Sequence, residues 1–317
     1  MNSRSVISKV LFSLLIVVAM SSQTLAKDIN IGWSGPGTWT TLPFIVAAER
    51  GFFQKENLAV RMITFRGINV LMAALLSGEL DYATILPNIA VSSARGIPVK
   101  ILSSVTKGSS FALVSRADIE NLPGLKGKRI GINSFGSSLD YITFTALSRN
   151  GLDPYRDVAI VPIGGGTPER IAALVSGSID ATMVTSPTEY VAEKQGLRTL
   201  ATPRDLANVV RIQNTGVGAT QKKIDKDGDE IVRLLRALRS AISLLQDQRS
   251  YAVTLFEKTL RFDRPSAEKF YSLLREQYNP DLTLPDGAIE DLLAVGTFRS
   301  KEKEKTAVNL QIVRDWS

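Results

Sequence analysis

A nine-residue segment that occurs twice constrains this chain more than any other feature. Ala73-Ala74-Leu75-Leu76-Ser77-Gly78-Glu79-Leu80-Asp81 returns about a hundred residues later as Ala172-Ala173-Leu174-Val175-Ser176-Gly177-Ser178-Ile179-Asp180, identical at six of nine positions. Each copy reads as the end of a helix, a glycine stop and an acidic residue leading into a buried strand. Glycine suits that place because it takes a left-handed backbone at least cost. The apolar runs that follow, 82–86 and 181–184, are closed by Pro87 and Pro187 and read as core strands of a parallel sheet. The correspondence extends outward: 29–32 parallels 129–132, 48–52 parallels 148–152, and 60–63 parallels 158–161. Strand, loop, helix, strand, helix, strand is therefore written twice. So long a period predicts two similar α/β lobes around one cleft, not a solenoid.

The 317 residues are 44% hydrophobic and 22% charged, enough for two lobes of ordinary domain size. Residues 1–26 stand apart. Arg4 and Lys9 precede an apolar run at 10–20, polar residues at 21–23 and a small-residue site ending at Ala26. That order is a secretory signal peptide cleaved after Ala26, and its apolar core is short for a membrane-spanning helix. No later segment approaches eighteen apolar residues, so the mature protein is expected to be soluble. There is no cysteine, which removes disulfides, thiolate nucleophiles and a lipid-modified N-terminal cysteine together. An exported, unanchored protein is best retained between two membranes, so a periplasm is the expected compartment. The formal charge of +7 falls to +5 once Arg4 and Lys9 are removed, and the basic residues are scattered among acids. Without a basic stripe, nucleic-acid binding has no support. The alternating charges at 301–305 read as a solvated helix face.

Candidate site features fall at strand ends. The loop 34–41 joins turn formers to hydroxyls ahead of an apolar helix, where free N–H groups beside Thr40 and Thr41 could hold an anion and Trp39 could form a flat wall. A capped helix with a surface loop explains the same residues equally well. Arg66 reads as a solvated residue or an anion partner, and Asn88 as a helix cap or a ligand contact. In the second half, Asn133-Ser134-Phe135-Gly136-Ser137-Ser138 occupies the place of the Trp39 loop, so two glycine-and-hydroxyl loops are expected to face one another. Asp140, in the first turn of the following helix, already uses part of its positive potential. Gly164-Gly165-Gly166 lacks the lysine of a nucleotide loop and reads as a flexible turn. Thr185-Ser186-Pro187 ends the second repeat strand where Leu86-Pro87-Asn88 ends the first, at strand carboxyl ends where open α/β sheets bind ligands. Beyond 214–218 the pattern turns helical: 231–245 carries one apolar face, and helices are expected at 250–260, 265–278, 286–295 and 307–316.

These features in this order resemble the solute-binding proteins of ATP-driven importers for nitrate, taurine, aliphatic sulfonates and thiamine precursors. The resemblance covers about residues 28–300. It rests on Ala47-Ala48-Glu49-Arg50-Gly51-Phe52-Phe53, Gly67, the Leu76 to Asp81 turn, Leu125-Lys126-Gly127-Lys128-Arg129-Ile130-Gly131 and the Ser176 to Asp180 turn. It implies a type II periplasmic-binding fold, two similar α/β lobes with a hinge and a central ligand cleft. Lobe I is expected at 27–113 plus 215–317 and lobe II at 114–214. By the same resemblance, pocket contacts fall at Trp39, Thr40, Asn88, Ser137, Ser138 and Thr185, with Ser110 and Asn214 near the hinge. Many relatives carry a tryptophan where this chain has Thr185-Ser186, so an alkyl-sulfonate pocket lined by that ring is not implied.

The implied role is non-catalytic: a monomer that closes on a small solute, expected to be anionic, with sulfonate, nitrate, carboxylate and pyrimidine all open, and hands it to a membrane permease with its ATPase, without cofactor or metal. The rival role is an enzyme on the same fold, like relatives that make a thiamine pyrimidine. Those depend on histidine and cysteine, and this chain has neither. A ligand-loaded partner of a membrane sensor has the same binding chemistry.

Overall fold

The computed structural model describes residues 27–298 apart from 35–38, 66, 165, 208, 214 and 286. The expected signal peptide, Arg66, Asn214, the 301–305 charge run and the 307–316 helix lie outside the described residues.

Two five-stranded sheets with equivalent strand orders carry the chain. The first unit runs β1 (Lys27–Ser34), α1 (Leu42–Glu49), α2 (Phe52–Lys55), β2 (Leu58–Phe65), α3 (Ile68–Ser77), β3 (Tyr82–Ala83), α4 (Leu86–Ala94) and β4 (Val99–Ser104). The second runs β5 (Phe111–Ser115), β6 (Arg129–Ile132), α5 (Ser138–Arg149), β7 (Ala159–Pro162), α6 (Thr167–Val175), β8 (Ala181–Thr185), α7 (Thr188–Lys194), β9 (Arg198–Ala201) and α8 (Pro203–Ala207). β10 (Gly216–Thr220) returns to the first sheet. The orders are β2-β1-β3-β10-β4 and β7-β6-β8-β5-β9. In each, the repeat strands are parallel, while the strand that arrives by crossing, β10 or β5, is antiparallel to both neighbours. The exchanged antiparallel strand is what the sequence pattern does not announce. β5 pairs with β8 over its full length, so 111–113 run in the second sheet, ahead of the boundary expected at 113/114. That boundary followed the turn to polar residues at Arg116, whereas the crossing itself lies at 105–110.

The repeated segment does the same work in both lobes. Gly78 and Gly177 end α3 and α6 with φ of +83° and +75°, the left-handed backbone that glycine adopts most cheaply. Asp81 Oδ2 accepts the Asn30 backbone N–H at 2.8 Å, and Asp180 Oδ2 accepts that of Arg129 at 2.9 Å. Next to each carboxylate an aliphatic side chain presses on the first strand: a Cβ on Gly32 would lie 2.4 Å from Leu80 Cδ1, and one on Gly131 would lie 2.4 Å from Ile179 Cδ1. The equivalent pairs are therefore Asn30 with Arg129 and Gly32 with Gly131, one residue off the register that hydropathy gives for 29–32 against 129–132. The strand expected at 82–86 is shorter than its apolar run, because Leu86 already opens α4 and Pro87 sits in its first turn, where no N–H is required.

The helical end is α9 (Gln221–Lys226), α10 (Gly228–Asp247), α11 (Arg249–Leu260), α12 (Arg264–Gln277) and α13 (Ala288–Thr297). The stripe on α10, including Ile231, Leu234, Leu238, Ile242 and Leu245, is fully buried in one cluster with Ile29, Ile31, Leu42 and Phe44 of the first lobe. An ionic knot fixes this attachment. Lys223 Nζ lies 2.8 Å from Asp81, 3.0 Å from Asp227 and 2.7 Å from Glu230, and Tyr82 donates to Glu230 at 2.7 Å. Burial alone would lower the Lys223 pKa, but the three carboxylates outweigh it and hold the ammonium above its usual value. None of the described helices is long and apolar enough to cross a membrane.

The close approach at the glycines is testable. Gly131→Ala is expected to cost about 1–3 kcal/mol by overpacking, measured by urea unfolding. Adding Ile179→Val, which removes the opposing Cδ1, is expected to recover part of that loss. Strictly additive effects in this double-mutant cycle would show that the two positions are not coupled.

Candidate functional site

The carboxyl ends of both sheets point into one interlobe cavity of about 870 Å³. The first lobe contributes Ile68, Met72 and Leu76 from α3, Asn88, Val91 and Ser92 from α4, Arg95 just past its end, and Ile97. The second contributes Phe111, Asn133, Gly136, Ser137, Ser138, Leu139, Gly166, Thr167, Arg170 and Thr185. Val295 of α13 completes the wall. One part of the lining is thus aliphatic and aromatic, and the other is hydroxyl, amide and guanidinium.

The charge inventory is one-sided. Two arginines line the cavity, Arg95 and Arg170, and no aspartate or glutamate does so among the described residues. Arg170 is only 4% exposed. Its Nε donates to the Met183 carbonyl at 3.4 Å and its Nη2 to Thr167 Oγ1 at 3.2 Å, and among the described residues no carboxylate forms an ion pair with it. Burial pulls its pKa below the usual arginine value, with Glu169 only partly opposing. The Glu169 carboxylate is itself turned to the Gly166 N–H at 2.6 Å. A guanidinium desolvated in this way favours an anion from outside the protein.

Four of the residues expected at the pocket, Asn88, Ser137, Ser138 and Thr185, line this cavity together. Asn88 is not a cap: Ile85 holds the N-cap position of α4 and makes no side-chain cap bond. Trp39 and Thr40 go elsewhere. Trp39 is 2% exposed and packs against Phe270 and Tyr278 at ring-centroid distances of 6.2 and 5.6 Å, while its carbonyl accepts the Tyr278 hydroxyl at 2.8 Å. It is a core residue and not a wall of this cavity, because the aromatic partners that bury it arrive from the C-terminal helices. Thr40 is buried beside the return crossing, with its hydroxyl 2.8 Å from that of Thr215. Ser110 is buried at the other crossing, where its carbonyl accepts the Ser186 N–H at 2.8 Å. Asn214 lies outside the described residues.

Of the expected pair of free helix starts, the second is corrected, while residues 35–38 of the first loop lie outside the described residues. At α5, the Gly136 N–H is taken by Asp140 Oδ2 at 2.8 Å and the Asp140 N–H by the Ser137 hydroxyl at 3.2 Å, so that helix caps itself. The positive group is instead Arg170, together with the Gly166-Thr167 turn that had read as a flexible connection. A signal for it was present. Arg170 stands where the repeat places Leu71, a fully buried core residue of α3. A charge at a core position of one copy is the departure from the repeat at this wall of the cavity.

Known proteins agree with this architecture. The NMT1/THI5-like family profile matches residues 39–250, two thirds of the chain. The chain belongs to the NMT1/THI5-like family. Among curated relatives, a Brucella abortus protein named as a binding protein is 23% identical over 258 residues, covering 80% of this chain and 79% of the relative. The 4-amino-5-hydroxymethyl-2-methylpyrimidine phosphate synthase of Schizosaccharomyces pombe is 26% identical over 255 residues, covering 75% of this chain and 69% of the relative. Among solved structures, the periplasmic aliphatic sulphonate binding protein SsuA of Escherichia coli superposes with a TM-score of 0.66 at 20% identity, covering 80% of this chain and 85% of that one. The fold is the type II periplasmic-binding fold.

Close to the crossing strands, this NMT1/THI5-like protein buries an acid. Glu189, in the first turn of α7, is 2% exposed. Its Oε1 accepts the Ser186 hydroxyl at 2.7 Å, and its Oε2 is buried without a hydrogen bond. Burial pushes its pKa above the carboxylate range, and the Ser186 bond opposes only in part. The folded state therefore holds this proton more tightly than the unfolded chain does. The resulting stabilisation is complete below the unfolded value of about 4.3 and is lost as pH rises through the folded value. Glu189→Gln is accordingly expected to melt higher than the parent near neutral pH, with the difference closing below about pH 4. A constant difference across that range would mean that burial does not raise the Glu189 pKa in the fold.

Proposed function

We propose that this protein is the solute-binding component of an ABC importer and that it encloses an organic anion between its lobes. The observation that carries this reading is the buried Arg170 guanidinium, which among the described residues has no ion pair and shares its cavity wall with one more arginine and no carboxylate. A bound anion would supply the missing countercharge and accept hydrogen bonds from the guanidinium and the nearby hydroxyls. The volume supports a solute larger than an inorganic oxyanion. About 870 Å³ falls in the range of pockets for drug-sized ligands, and nitrate would leave most of it to water. The aliphatic and aromatic lining favours a carbon body behind the charged head.

Sulfonate binding by the E. coli structural neighbour is consistent with this class of solute. The charged, apolar, small-residue order of 1–26 supports export to a periplasm, and hand-over to a membrane permease follows from that placement. Closure would be a hinge motion about the two crossings, driven by contacts that both lobes make with the solute only when closed.

The named activity of the S. pombe relative raises an enzymatic reading. Against it, the chain has no histidine and no cysteine, and no carboxylate lies on the described cavity wall, which leaves proton transfer there without an evident carrier.

Residues 27–317 are expected to melt higher in the presence of alkanesulfonates or alkanecarboxylates. A ligand at a hundred times its dissociation constant adds about 2.7 kcal/mol of stability. Arg170→Leu, which installs the residue found at the equivalent Leu71, is expected to abolish that response without lowering the melting temperature of the unliganded protein. A response to neutral pyrimidines alone, untouched by this substitution, would overturn the reading.

A further inference from the structure

One wall of the cavity comes from beyond the family-matched region. The NMT1/THI5-like match ends at residue 250, and of the described residues that line the cavity only Val295 lies past it. The other helices of the C-terminal end behave differently: α10, α11 and α12 build the first-lobe core and contribute nothing to the lining.

The helix that carries Val295 is held by both lobes. α13 packs on α4 of the first lobe and on α5 of the second. Asp291 accepts the Tyr141 hydroxyl of α5 at 3.1 Å and the Arg211 backbone N–H of the return crossing at 2.8 Å. Just past the helix, Phe298 meets the Tyr141 and Phe144 rings edge-on at 5.3 and 5.4 Å. Leu292 and Val295 join an apolar cluster that also contains Leu86 and Ile89 from the first lobe and Leu139 and Ile142 from the second. Val295 is therefore fixed from two sides, and it lines the cavity together with Leu139 and Ile97 of the same apolar cluster. Its side chain has little room to yield, since a packed interior transmits a change of even one methylene.

We propose that Val295 is a specificity-determining residue that sets the length of the apolar body of the bound solute. This rests on the cavity being the solute site. Arg170, which would select for charge, is supplied by the repeat. Val295 is supplied by a helix outside the repeat and belongs to an apolar cluster that does not include Arg170, so solute length can be tuned by α13 without altering the anion-binding group.

The test uses residues 27–317, the n-alkanesulfonates from ethane- to octanesulfonate, and the matching n-alkanecarboxylates, with affinities read by calorimetry. Val295→Ala is expected to move the optimum to a longer chain and Val295→Phe to a shorter one. The affinity ratio of neighbouring chain lengths should change by about tenfold, as expected for one methylene in an apolar pocket. Thermal melts establish that each variant is folded, and Val295→Ala alone suffices if the larger side chain is not accommodated. An optimum that stays in place, or a uniform loss of affinity across the series in a folded variant, overturns the proposal. If Arg170→Leu abolishes binding while the Val295 variants leave the optimum unchanged, only this proposal fails. A parent protein that binds no member of either series defeats the reading of the cavity, and this proposal with it.

Discussion

A carboxylate that accepts the backbone N–H of a neighbouring strand is the contact on which both lobes depend. Asp81 and Asp180 each reach back fifty-one residues to Asn30 and Arg129. With Leu80 on Gly32 and Ile179 on Gly131, each pair fixes where the third repeat strand meets the first. The constraint is local, yet its consequence lies at the far end of the strands. Once β3 and β8 are set beside β1 and β6, the segments that leave their carboxyl ends must emerge on one side of each sheet, and the exchanged strands β5 and β10 turn those two sides toward each other. The position of Asn88 and Thr185 on a common cavity follows from that geometry and from no contact between them.

The two lobes differ where the same carboxylate is given different partners. Asp180 completes its coordination with the Arg129 side chain, which donates from Nε at 3.1 Å and Nη2 at 3.0 Å, and needs nothing from the rest of the chain. Asp81 faces Asn30, which cannot form an ion pair, so its second oxygen is available to Lys223 at 2.8 Å. That difference attaches the C-terminal helices to the first lobe. Those helices in turn bury Trp39 beneath Phe270 and Tyr278 and leave α13 to reach across to α5. An asymmetry at one residue of a repeat is thereby linked to the shape of the cavity.

The repeat, the glycine stops and the helical end were legible in the sequence because they are encoded by short spacings: a helix stripe on α10, a glycine at Gly78 or Gly177, a period of about a hundred residues. The site was legible in part. Asn88, Ser137, Ser138 and Thr185 follow from strand-end positions, which a linear pattern records. Trp39 was not, since its burial depends on rings that come more than two hundred residues later. The loop at 133–138 looked like an open anion cradle, but Asp140 was already in its sequence and occupies the Gly136 N–H. Arg170 is not marked by its local sequence, because an arginine early in a helix usually faces water, and only alignment of the two copies shows that its position belongs to the core.

That position also explains how a weak electrostatic feature becomes selective. A guanidinium on the surface is screened and contributes little to discrimination, whereas one that is desolvated and lacks a countercharge is costly in the empty protein. The cost is carried by the rest of the fold, whose buried clusters hold α6 against β8 whether or not a solute is present. On the proposed reading an anion entering the cavity would relieve it, so part of the binding free energy would come from the desolvation already imposed on Arg170 and not from newly made contact. A neutral solute of the same shape gains no such relief and leaves the charge buried among Thr167, Met183 and the hydroxyls. Selection for charge would on that reading come from a leucine position filled by arginine, separately from whatever the apolar side chains of the wall read of the solute's shape.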